Sequence, residues 1–289
     1  MYDAIIIGMG PAGLSAAIYL ARANKKVLVI GENNKIWKPE VKINNYFGVG
    51  EISGNKLMEK GETQAKSFGA EIIKGLVTKA ELTDNNSFKC LANSKEYLSK
   101  KLLIATGASV AKKEVINQDD FIGKGVSFCV PCDGFFFKDK KVLVIGNAEY
   151  ALEEAIDLLS FTKDVTLSGN GKDLKFDNKL LKNKGIKLEN YKIEKIMGDK
   201  KVTGVKTDKG EAKFDGVFIA SGTADSNDLA RMLGLAVDNY KVIIDSNMKT
   251  NLNGVFAAGD CTKGLPQISK AVYEGSVAAM AIIKELGEK

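Results

Sequence analysis

The amino-acid sequence of 289 residues contains no histidine and only two arginines, Arg22 and Arg231. The absence of histidine excludes histidine-based catalytic triads, histidine metal ligands and an imidazole proton carrier. Its four cysteines are too few for a secreted disulfide scaffold of this length. No apolar run approaches the roughly 18 to 20 residues that a membrane span requires. We therefore expect no membrane partner.

The composition is that of an ordinary globular protein, with 45% hydrophobic and 27% charged residues. The length is typical of about two domains. The chain starts directly in a strand pattern without the basic segment of a signal peptide, which predicts a cytoplasmic protein. The net charge of +6 comes almost entirely from lysine. This excess favours an acidic partner, although a solvated surface explains any single lysine more simply. We expect no nucleic-acid partner.

Two segments of the chain follow a strand–turn–helix–strand pattern. The first has its elements at residues 4–7, 8–13, 14–21 and 27–30. The second repeats the order at residues 141–145, 146–151, 152–159 and 165–167. Near the C-terminus, a strand that ends in a turn at 254–260 precedes a helix predicted over 267–286. This repeated βαβ organisation is typical of nucleotide-binding domains.

The glycine-rich turn of the first segment reads Gly8-Met9-Gly10-Pro11-Ala12-Gly13. Gly8 permits the tight turn, Gly10 lets the backbone approach a pyrophosphate, and Gly13 lets helix and strand pack closely. The helix N-terminus then offers free N–H groups and its positive dipole end to the phosphates. Glu32, which ends the next strand, can accept hydrogen bonds from ribose hydroxyls. The pattern predicts dinucleotide binding, and a purely structural glycine turn is the alternative.

The second chemical motif is Cys129-Val130-Pro131-Cys132-Asp133-Gly134. Two cysteines at this spacing can close a small disulfide, and one of them is readily activated as a thiolate. The alternatives are two inert thiols or half of a zinc site, but the chain offers no histidine and no second cysteine pair to complete the latter. Asp133 can relay a proton, although Asp-Gly is also a common turn. We predict a redox-active dithiol and no metal.

Several segments together resemble the pyridine-nucleotide disulfide reductase superfamily. Residues 250–260, which end in Gly259-Asp260, resemble its second FAD fingerprint, and residues 103–108 resemble another conserved piece. Residues 125–137, around the two cysteines, resemble the active-site segment of low-molecular-weight thioredoxin reductases. The spacing across 138–154, including the Glu153-Glu154 pair, also matches. The similarity covers nearly the whole chain.

The resemblance implies an α/β fold with two Rossmann-like, three-layer nucleotide-binding domains, FAD as the cofactor and a homodimer. An FAD-binding domain would comprise residues 1–112 and 245–289, and a central redox domain residues 113–244. It implies that Cys132 faces the flavin, that Cys129 attacks the disulfide of thioredoxin, and that Asp133 donates the proton. A rotation between the domains is also implied. The residues implied in FAD binding are Gly8, Gly10, Pro11, Ala12, Gly13, Glu32, Asn45, Thr106, Gly107, Gly259, Asp260 and Gln267.

The central segment departs from the family, whose members normally bind NADPH there through a G-x-G-x-x-A loop and an arginine-rich stretch. The corresponding loop at 146–151 has Ala148 in place of the glycine that admits the pyrophosphate. Glu149 and Tyr150 add a negative charge and bulk beside an anion site. Residues 165–172 contain no arginine, the side chain that suits a phosphate best. The NADPH site is therefore predicted to be lost; a diverged site that uses lysines is the alternative.

This combination resembles the ferredoxin-dependent flavin thioredoxin reductases, which keep the FAD motifs and the Cys-x-x-Cys but have degraded nicotinamide motifs. It implies that reduced ferredoxin supplies the electrons and that thioredoxin accepts them. Three other functions stay open: an NADPH-dependent thioredoxin reductase with a diverged site, a flavin-dependent dithiol oxidase that passes electrons to oxygen, and a flavin-binding redox sensor without turnover.

Overall fold

A computed structural model of the chain describes residues 1–32, 42–108, 115–220 and 226–287. The chain forms two compact units, Met1–Val110 with Asp225–Lys289, and Ala111–Ala224. The domain boundary predicted between 112 and 113 lies outside the described residues. The second predicted boundary, between 244 and 245, differs from the division between the units, because a helix at Ser226–Met232 packs on a strand of the first unit.

The described residues form strands and helices in both units. The strands are β1 (Tyr2–Ile7), β2 (Val27–Gly31), β3 (Lys42–Ile43), β4 (Ile52–Ser53), β5 (Glu71–Lys74), β6 (Val77–Leu82), β7 (Phe88–Ala92), β8 (Lys95–Ile104), β9 (Val126–Ser127), β10 (Val142–Ile145), β11 (Val165–Ser168), β12 (Lys187–Leu188), β13 (Ile193–Gly198), β14 (Val202–Thr207), β15 (Gly210–Lys213), β16 (Gly216–Ile219), β17 (Val237–Asp238), β18 (Lys241–Val242) and β19 (Val255–Ala257). The helices are α1 (Pro11–Arg22), α2 (Gly54–Ser67), α3 (Val130–Asp133), α4 (Glu149–Leu158), α5 (Lys179–Lys184), α6 (Ser226–Met232) and α7 (Ile268–Gly287). None of those in the described ranges has the length and apolarity to span a membrane.

The first unit is built on a seven-stranded sheet in the order β5-β2-β1-β8-β7-β6, and β19 also pairs with β8. Strands β5, β2, β1, β8 and β19 run parallel, whereas β6, β7 and β8 form an antiparallel meander. β2 is buried along its whole length and β1 over its last four residues, as expected for central parallel strands. The predicted N-terminal βαβ unit is confirmed.

Helix α7 packs against α1 and so joins the two ends of the chain. The two backbones approach closely at Gly275, where an added Cβ would lie 2.1 Å from the carbonyl oxygen of Ala12. The Ser15 hydroxyl also donates to the carbonyl of Val272, at 2.9 Å. Side chains from both helices complete an apolar core with β1, β2 and β8. A residue larger than glycine at 275 would force the helices apart.

The second unit is built on a five-stranded parallel sheet in the order β12-β11-β10-β16-β9. Helix α4 connects β10 to β11, so the second predicted βαβ unit is confirmed. A separate antiparallel sheet contains β13, β14 and β15. The predicted α/β fold of the disulfide reductase type is thereby confirmed. The short strand β9 leads directly into the cysteine segment.

The last turn of α7 is bound to the sheet of the first unit through Glu285. Its carboxylate hydrogen-bonds the ammonium of Lys101 on β8, and its other oxygen lies 2.6 Å from Lys249 Nζ. Burial alone would raise the pKa of Glu285, but the hydrogen bonds and charges of the two lysines outweigh it and hold that pKa below its ordinary value.

We expect Glu285→Gln to lower the free energy of unfolding at pH 7 by about 1–2 kcal/mol, because it removes charge-assisted hydrogen bonds. The folded-state pKa is lowered, so this stabilisation is complete above the unfolded value of about 4.3 and disappears as the pH falls through the folded value. Urea unfolding at several pH values measures it. The control is Glu51→Gln, whose ion pair with Lys42 is more than half exposed and should contribute under about 0.5 kcal/mol. If wild type and Glu285→Gln differ in unfolding free energy by the same amount at pH 3 as at pH 7, this explanation is contradicted.

Candidate functional site

The turn between β1 and α1 is held by two close backbone contacts. Gly8 has φ +109°, and a Cβ there would lie 2.2 Å from the carbonyl oxygen of Ala105. A Cβ at Gly13 would lie 2.0 Å from the carbonyl oxygen of Gly8. At Gly10, by contrast, nothing in the described structure lies within 4 Å of the Cβ position. The turn therefore presents an open cradle at Gly10, as the sequence predicts for a pyrophosphate-binding turn.

Helix α1 begins at this cradle without a side-chain cap among the described residues. Its N-cap is Gly10, Pro11 occupies the first turn, and no acidic residue lies in that turn. The first N–H groups of the helix therefore have no intrahelical partner and are suited to an anion. Ala12 packs beneath them against Gly259, whose Cβ position lies 2.9 Å from the Ala12 Cβ. The fingerprint turn and the Gly259-Asp260 turn are thus neighbours.

Two buried polar atoms of this unit have no hydrogen-bond partner in the part of the chain that the structure describes. They are Thr106 Oγ1, which follows β8, and Asp260 Oδ1, which follows β19. Since β8 and β19 are parallel neighbours of β1 or of each other, both residues lie at the edge of the sheet that also holds the glycine-rich turn. Buried polar atoms are normally paired. The open cradle and these two atoms fit a bound FAD.

The structure also describes the other residues implied in FAD binding. Asn45 Nδ2 donates to Gln267 Oε1 at 3.1 Å, so these two exposed residues are brought together from distant parts of the chain. Gly107, with φ +82°, follows Thr106. Glu32 is exposed directly after β2. Their contacts with the cofactor stay predictions.

A buried ion pair beneath the Gly259-Asp260 turn was not identified from the sequence. Glu274 accepts from the Gly259 amide at 2.7 Å and from the Thr262 hydroxyl at 2.8 Å. Lys270 lies 3.2 Å from the same carboxylate and donates to the Gly259 carbonyl at 2.9 Å. The turn is therefore held on both its amide and its carbonyl. The sequence signal for this pair was Glu274 itself, an acidic residue among the small apolar residues of α7.

In the second unit, Cys129 and Cys132 form a disulfide with a Cα–Cα distance of 5.4 Å. Cys129 is buried, with 1% of its surface exposed, whereas Cys132 is exposed. The other two cysteines, Cys90 and Cys261, are buried, and burial raises the pKa of each thiol to about 12. A thiol of that pKa is a poor nucleophile near neutral pH. The Cys129–Cys132 pair is therefore the redox-capable one.

Asp133 is tied to the residues before the disulfide. Its Oδ2 lies 2.6 Å from the hydroxyl of Ser127, the last residue of β9. The Cys129 amide donates to the same hydroxyl at 3.1 Å, and the Asp133 amide donates to the Cys129 carbonyl at 3.1 Å. The predicted proton donor and the first cysteine thus share one hydrogen-bonded cluster. Ser127 was not identified from the sequence.

Helix α4 holds the cysteine segment from the other side. Glu154 Oε2 accepts from the Val130 amide at 2.8 Å, and the Tyr150 hydroxyl donates to the Phe128 carbonyl at 3.1 Å. Both side chains are buried. Tyr150 was predicted to add bulk beside an anion site; instead its side chain turns inward to the cysteine segment, because the first turn of α4 lies against it.

The loop before α4 is connected to the segment that follows β11. The Asn147 amide side chain donates to the Asp173 carbonyl at 2.9 Å, and the Lys175 amide donates to the Asn147 carbonyl at 2.8 Å. Ala148 is the N-cap of α4, with no side-chain hydrogen bond, and Glu149 is exposed in the first turn. Asn147, in the middle of this turn, is thus hydrogen-bonded to another segment of the chain.

A sequence profile of the pyridine nucleotide-disulphide oxidoreductases matches residues 2–275. The chain belongs to this family. A thioredoxin reductase of Listeria monocytogenes is 37% identical over 308 aligned residues, which cover 100% of the chain and 96% of the relative. The atypical thioredoxin reductase of Desulfovibrio vulgaris Hildenborough is 36% identical, with a TM-score of 0.94 and full coverage of both chains. A ferredoxin-flavin thioredoxin reductase of Clostridium acetobutylicum is 31% identical, with a TM-score of 0.75 and coverage of 100% and 99%.

This pyridine nucleotide-disulphide oxidoreductase is accordingly a flavin-dependent disulfide oxidoreductase of the thioredoxin reductase type, and FAD is its cofactor. The first unit has the features that suit the cofactor, and the second has the disulfide. The specific roles of Cys129, Cys132 and Asp133 belong to the proposal below.

We expect Gly10→Ala to raise the dissociation constant for FAD about tenfold or more, which is about 1.4 kcal/mol, because the methyl group fills the cradle. The unfolding midpoint of the apoprotein should not change, since the Cβ meets nothing within 4 Å. Flavin absorbance after gel filtration and thermal unfolding of the apoprotein measure both. Gly8→Ala is the matched contrast: its Cβ meets the Ala105 carbonyl, so the apoprotein itself should lose about 2 kcal/mol or more. Equal flavin retention in wild type and Gly10→Ala would rule out the cradle.

Proposed function

We propose that the protein is a thioredoxin reductase that receives electrons from reduced ferredoxin, passes them through FAD to the Cys129–Cys132 disulfide, and delivers them to thioredoxin. The observation that carries the choice of donor is the loop at 146–148. Its middle residue is hydrogen-bonded to the chain's own segment at 173–175, and the residue that follows carries a methyl group in place of the glycine hydrogen.

The same loop would have to serve as the pyrophosphate turn of a nicotinamide site. Such a turn needs its backbone open to the ligand. Here Asn147 is hydrogen-bonded through its side-chain amide and its backbone carbonyl. The methyl group of Ala148 narrows the space through which a pyrophosphate would approach the N-terminus of α4. The stretch just before that segment, residues 165–172, stands where family members carry arginines for the 2′-phosphate, and it has none. Each change weakens NADPH binding.

The named relatives support the two partners of the proposal. The Listeria relative is named a thioredoxin reductase, which supports thioredoxin as the acceptor. The Clostridium structure is named a ferredoxin-flavin thioredoxin reductase, and the Desulfovibrio structure an atypical thioredoxin reductase. The name of the Clostridium structure supports ferredoxin as the donor. A homodimer and a cytoplasmic location stay predictions.

The energetics favour this direction of transfer. Plant-type ferredoxins have potentials of about −400 mV and thioredoxin about −270 mV, and for two electrons about 30 mV corresponds to about 1.4 kcal/mol. Reduction of thioredoxin by ferredoxin is therefore downhill by about 6 kcal/mol. FAD, when bound, would supply the chemistry that joins the single-electron delivery of ferredoxin to the two-electron reduction of a disulfide.

The exposures of the two cysteines support their assigned roles. Cys132 is the exposed residue of the pair, which supports its proposed role as the cysteine that faces the flavin. An electron pair that enters there breaks the Cys129–Cys132 bond, and the Cys129 thiolate that leaves takes a proton from Asp133. Cys129 is buried, so it must become exposed before it attacks the disulfide of thioredoxin. Cys132 then attacks the resulting mixed disulfide and releases reduced thioredoxin.

The donor is tested by anaerobic mixing of the holoprotein with NADPH and, separately, with reduced ferredoxin, while the flavin band is followed. We expect bleaching by ferredoxin within seconds and a rate with NADPH at least about 100-fold lower. Dithionite serves as the control for complete reduction. Rapid bleaching by NADPH would return the protein to the NADPH-dependent enzymes, with the dithiol chemistry unchanged. Oxygen consumption with a small dithiol, but no reduction of thioredoxin, would instead favour the dithiol oxidase.

The dithiol is tested by Cys129→Ser and Cys132→Ser. We expect each to lower thioredoxin reduction by more than about 1,000-fold, while flavin bleaching by the donor stays, because the donor acts before the disulfide. Cys90→Ala, which changes a buried free thiol of the first unit, should keep wild-type turnover. Full turnover by Cys132→Ser would overturn the assignment of the roles.

A further inference from the structure

The hydroxyl of Ser127 lies at the centre of the cluster that joins Asp133 to the first cysteine. It is 2.6 Å from Asp133 Oδ2, 3.1 Å from the Cys129 amide nitrogen and 3.3 Å from the Cys129 carbonyl oxygen. Ser127 is buried, with 3% of its surface exposed, and its backbone position is fixed because β9 pairs with β16 there, Ser127 opposite Phe218. A fixed hydroxyl therefore faces both a proton-carrying group and the residue that receives the proton.

A serine hydroxyl has one hydrogen to donate and two lone pairs with which to accept. When Asp133 is a carboxylate, the hydroxyl donates to Oδ2 and accepts from the Cys129 amide. When Asp133 is a carboxylic acid, its own O–H donates to the serine oxygen, and the serine turns its hydrogen to the Cys129 carbonyl. In the second arrangement the hydroxyl accepts twice and donates once. Neither arrangement leaves the buried oxygen or its hydrogen unpaired, so the change between them carries no desolvation penalty.

We propose that Ser127 is a positioning residue for Asp133, which holds the carboxyl group beside the disulfide and reverses its hydrogen bond as Asp133 gives up and regains the proton. The proposal deepens the proposed function and rests on it for the role of Asp133. In the step concerned, the Cys129–Cys132 bond breaks, an incoming electron pair makes two thiolates, one proton passes from Asp133 to Cys129, and Ser127 donates to the carboxylate that is left.

A structural role alone would be the competing explanation, and the chain contains a matched case. Ser168 ends β11 as Ser127 ends β9, is fully buried, accepts from the amide two residues on (Asn170, 3.2 Å) and donates to a carbonyl (Tyr191, 3.1 Å). It accepts from the amide two residues on, as Ser127 does, but in the described part of the chain no carboxylate hydrogen-bonds to it. Removal of either hydroxyl would therefore disrupt a turn of the same kind. Only Ser127 reaches a group that carries the reaction's proton.

The test uses reduction of the Cys129–Cys132 disulfide by dithiothreitol in the holoprotein, followed by acid quench, alkylation and mass spectrometry. In this reaction a disulfide forms in dithiothreitol, the protein disulfide breaks, and two protons pass to the protein, so neither ferredoxin nor thioredoxin is needed. We expect Ser127→Ala to lower the rate about 10- to 100-fold, Ser168→Ala to keep it within about twofold, and Ser127→Thr to recover most of it, because the hydroxyl is restored. Equal losses in the two alanine variants would overturn the proposal.

A double-substitution cycle separates action through Asp133 from a general loss of order. If Ser127 acts through the carboxyl group, Ser127→Ala should cost less than about twofold when Asp133→Asn is already present. The same 10- to 100-fold loss in both backgrounds would overturn the proposal, even if all variants unfold at the same temperature. Thioredoxin turnover is measured separately: its absence in wild type would remove the proposed acceptor, while the dithiothreitol cycle would still decide the role of Ser127.

Discussion

The contact between the two ends of the chain is the constraint on which the flavin-binding unit depends. Two consecutive residues of α7 act on both glycine-rich turns. Gly275 allows α7 to lie against the start of α1 at Ala12, and Glu274 reaches from the same turn of helix to the amide of Gly259. The edge where β1, β8 and β19 end is therefore shaped by residues 250 or more positions apart. Without the close α1–α7 packing, neither turn would be held in place for a cofactor.

The cysteine segment is organised on the same principle, with backbone amides bound by buried oxygen atoms. Ser127 binds the amide of Cys129 from the strand side, and Glu154 binds the amide of Val130 from the helix side. Tyr150 adds a third contact from α4, at the Phe128 carbonyl. Helix α4 therefore supports the cysteine segment through two buried side chains, Glu154 and Tyr150.

The fold was predictable because strands such as β1 and β10 are apolar runs that lead into glycine-rich turns, a pattern with few structural solutions. The cysteine pair and the FAD fingerprints were also predictable from the sequence. The roles of Ser127, Glu154 and Glu274 were not, because each side chain binds a backbone N–H. The sequence does not show which side chain will bind a given main-chain group. The Tyr150 side chain was assigned to the wrong face of its turn for a related reason. The residue type gives the size of a side chain but not the direction in which it points. The sequence also did not show that residues 225–244 belong to the first unit, because the apolar face of a helix does not indicate against which sheet it packs.

The bonds between Asn147 and the segment at 173–175 have a consequence for how this protein can change. Restoring glycine at position 148 would remove a methyl group but leave the loop fastened, and releasing the loop alone would leave the methyl group in place. Under the proposed function, each step alone would restore only part of a nicotinamide site, and the arginines would still be missing. Under the proposed function, a change of donor to NADPH would need alterations at the loop, at position 148 and within residues 165–172 together. With the proposed donor, a chain that has such a loop should keep the same electron carrier as the rest of its sequence diverges.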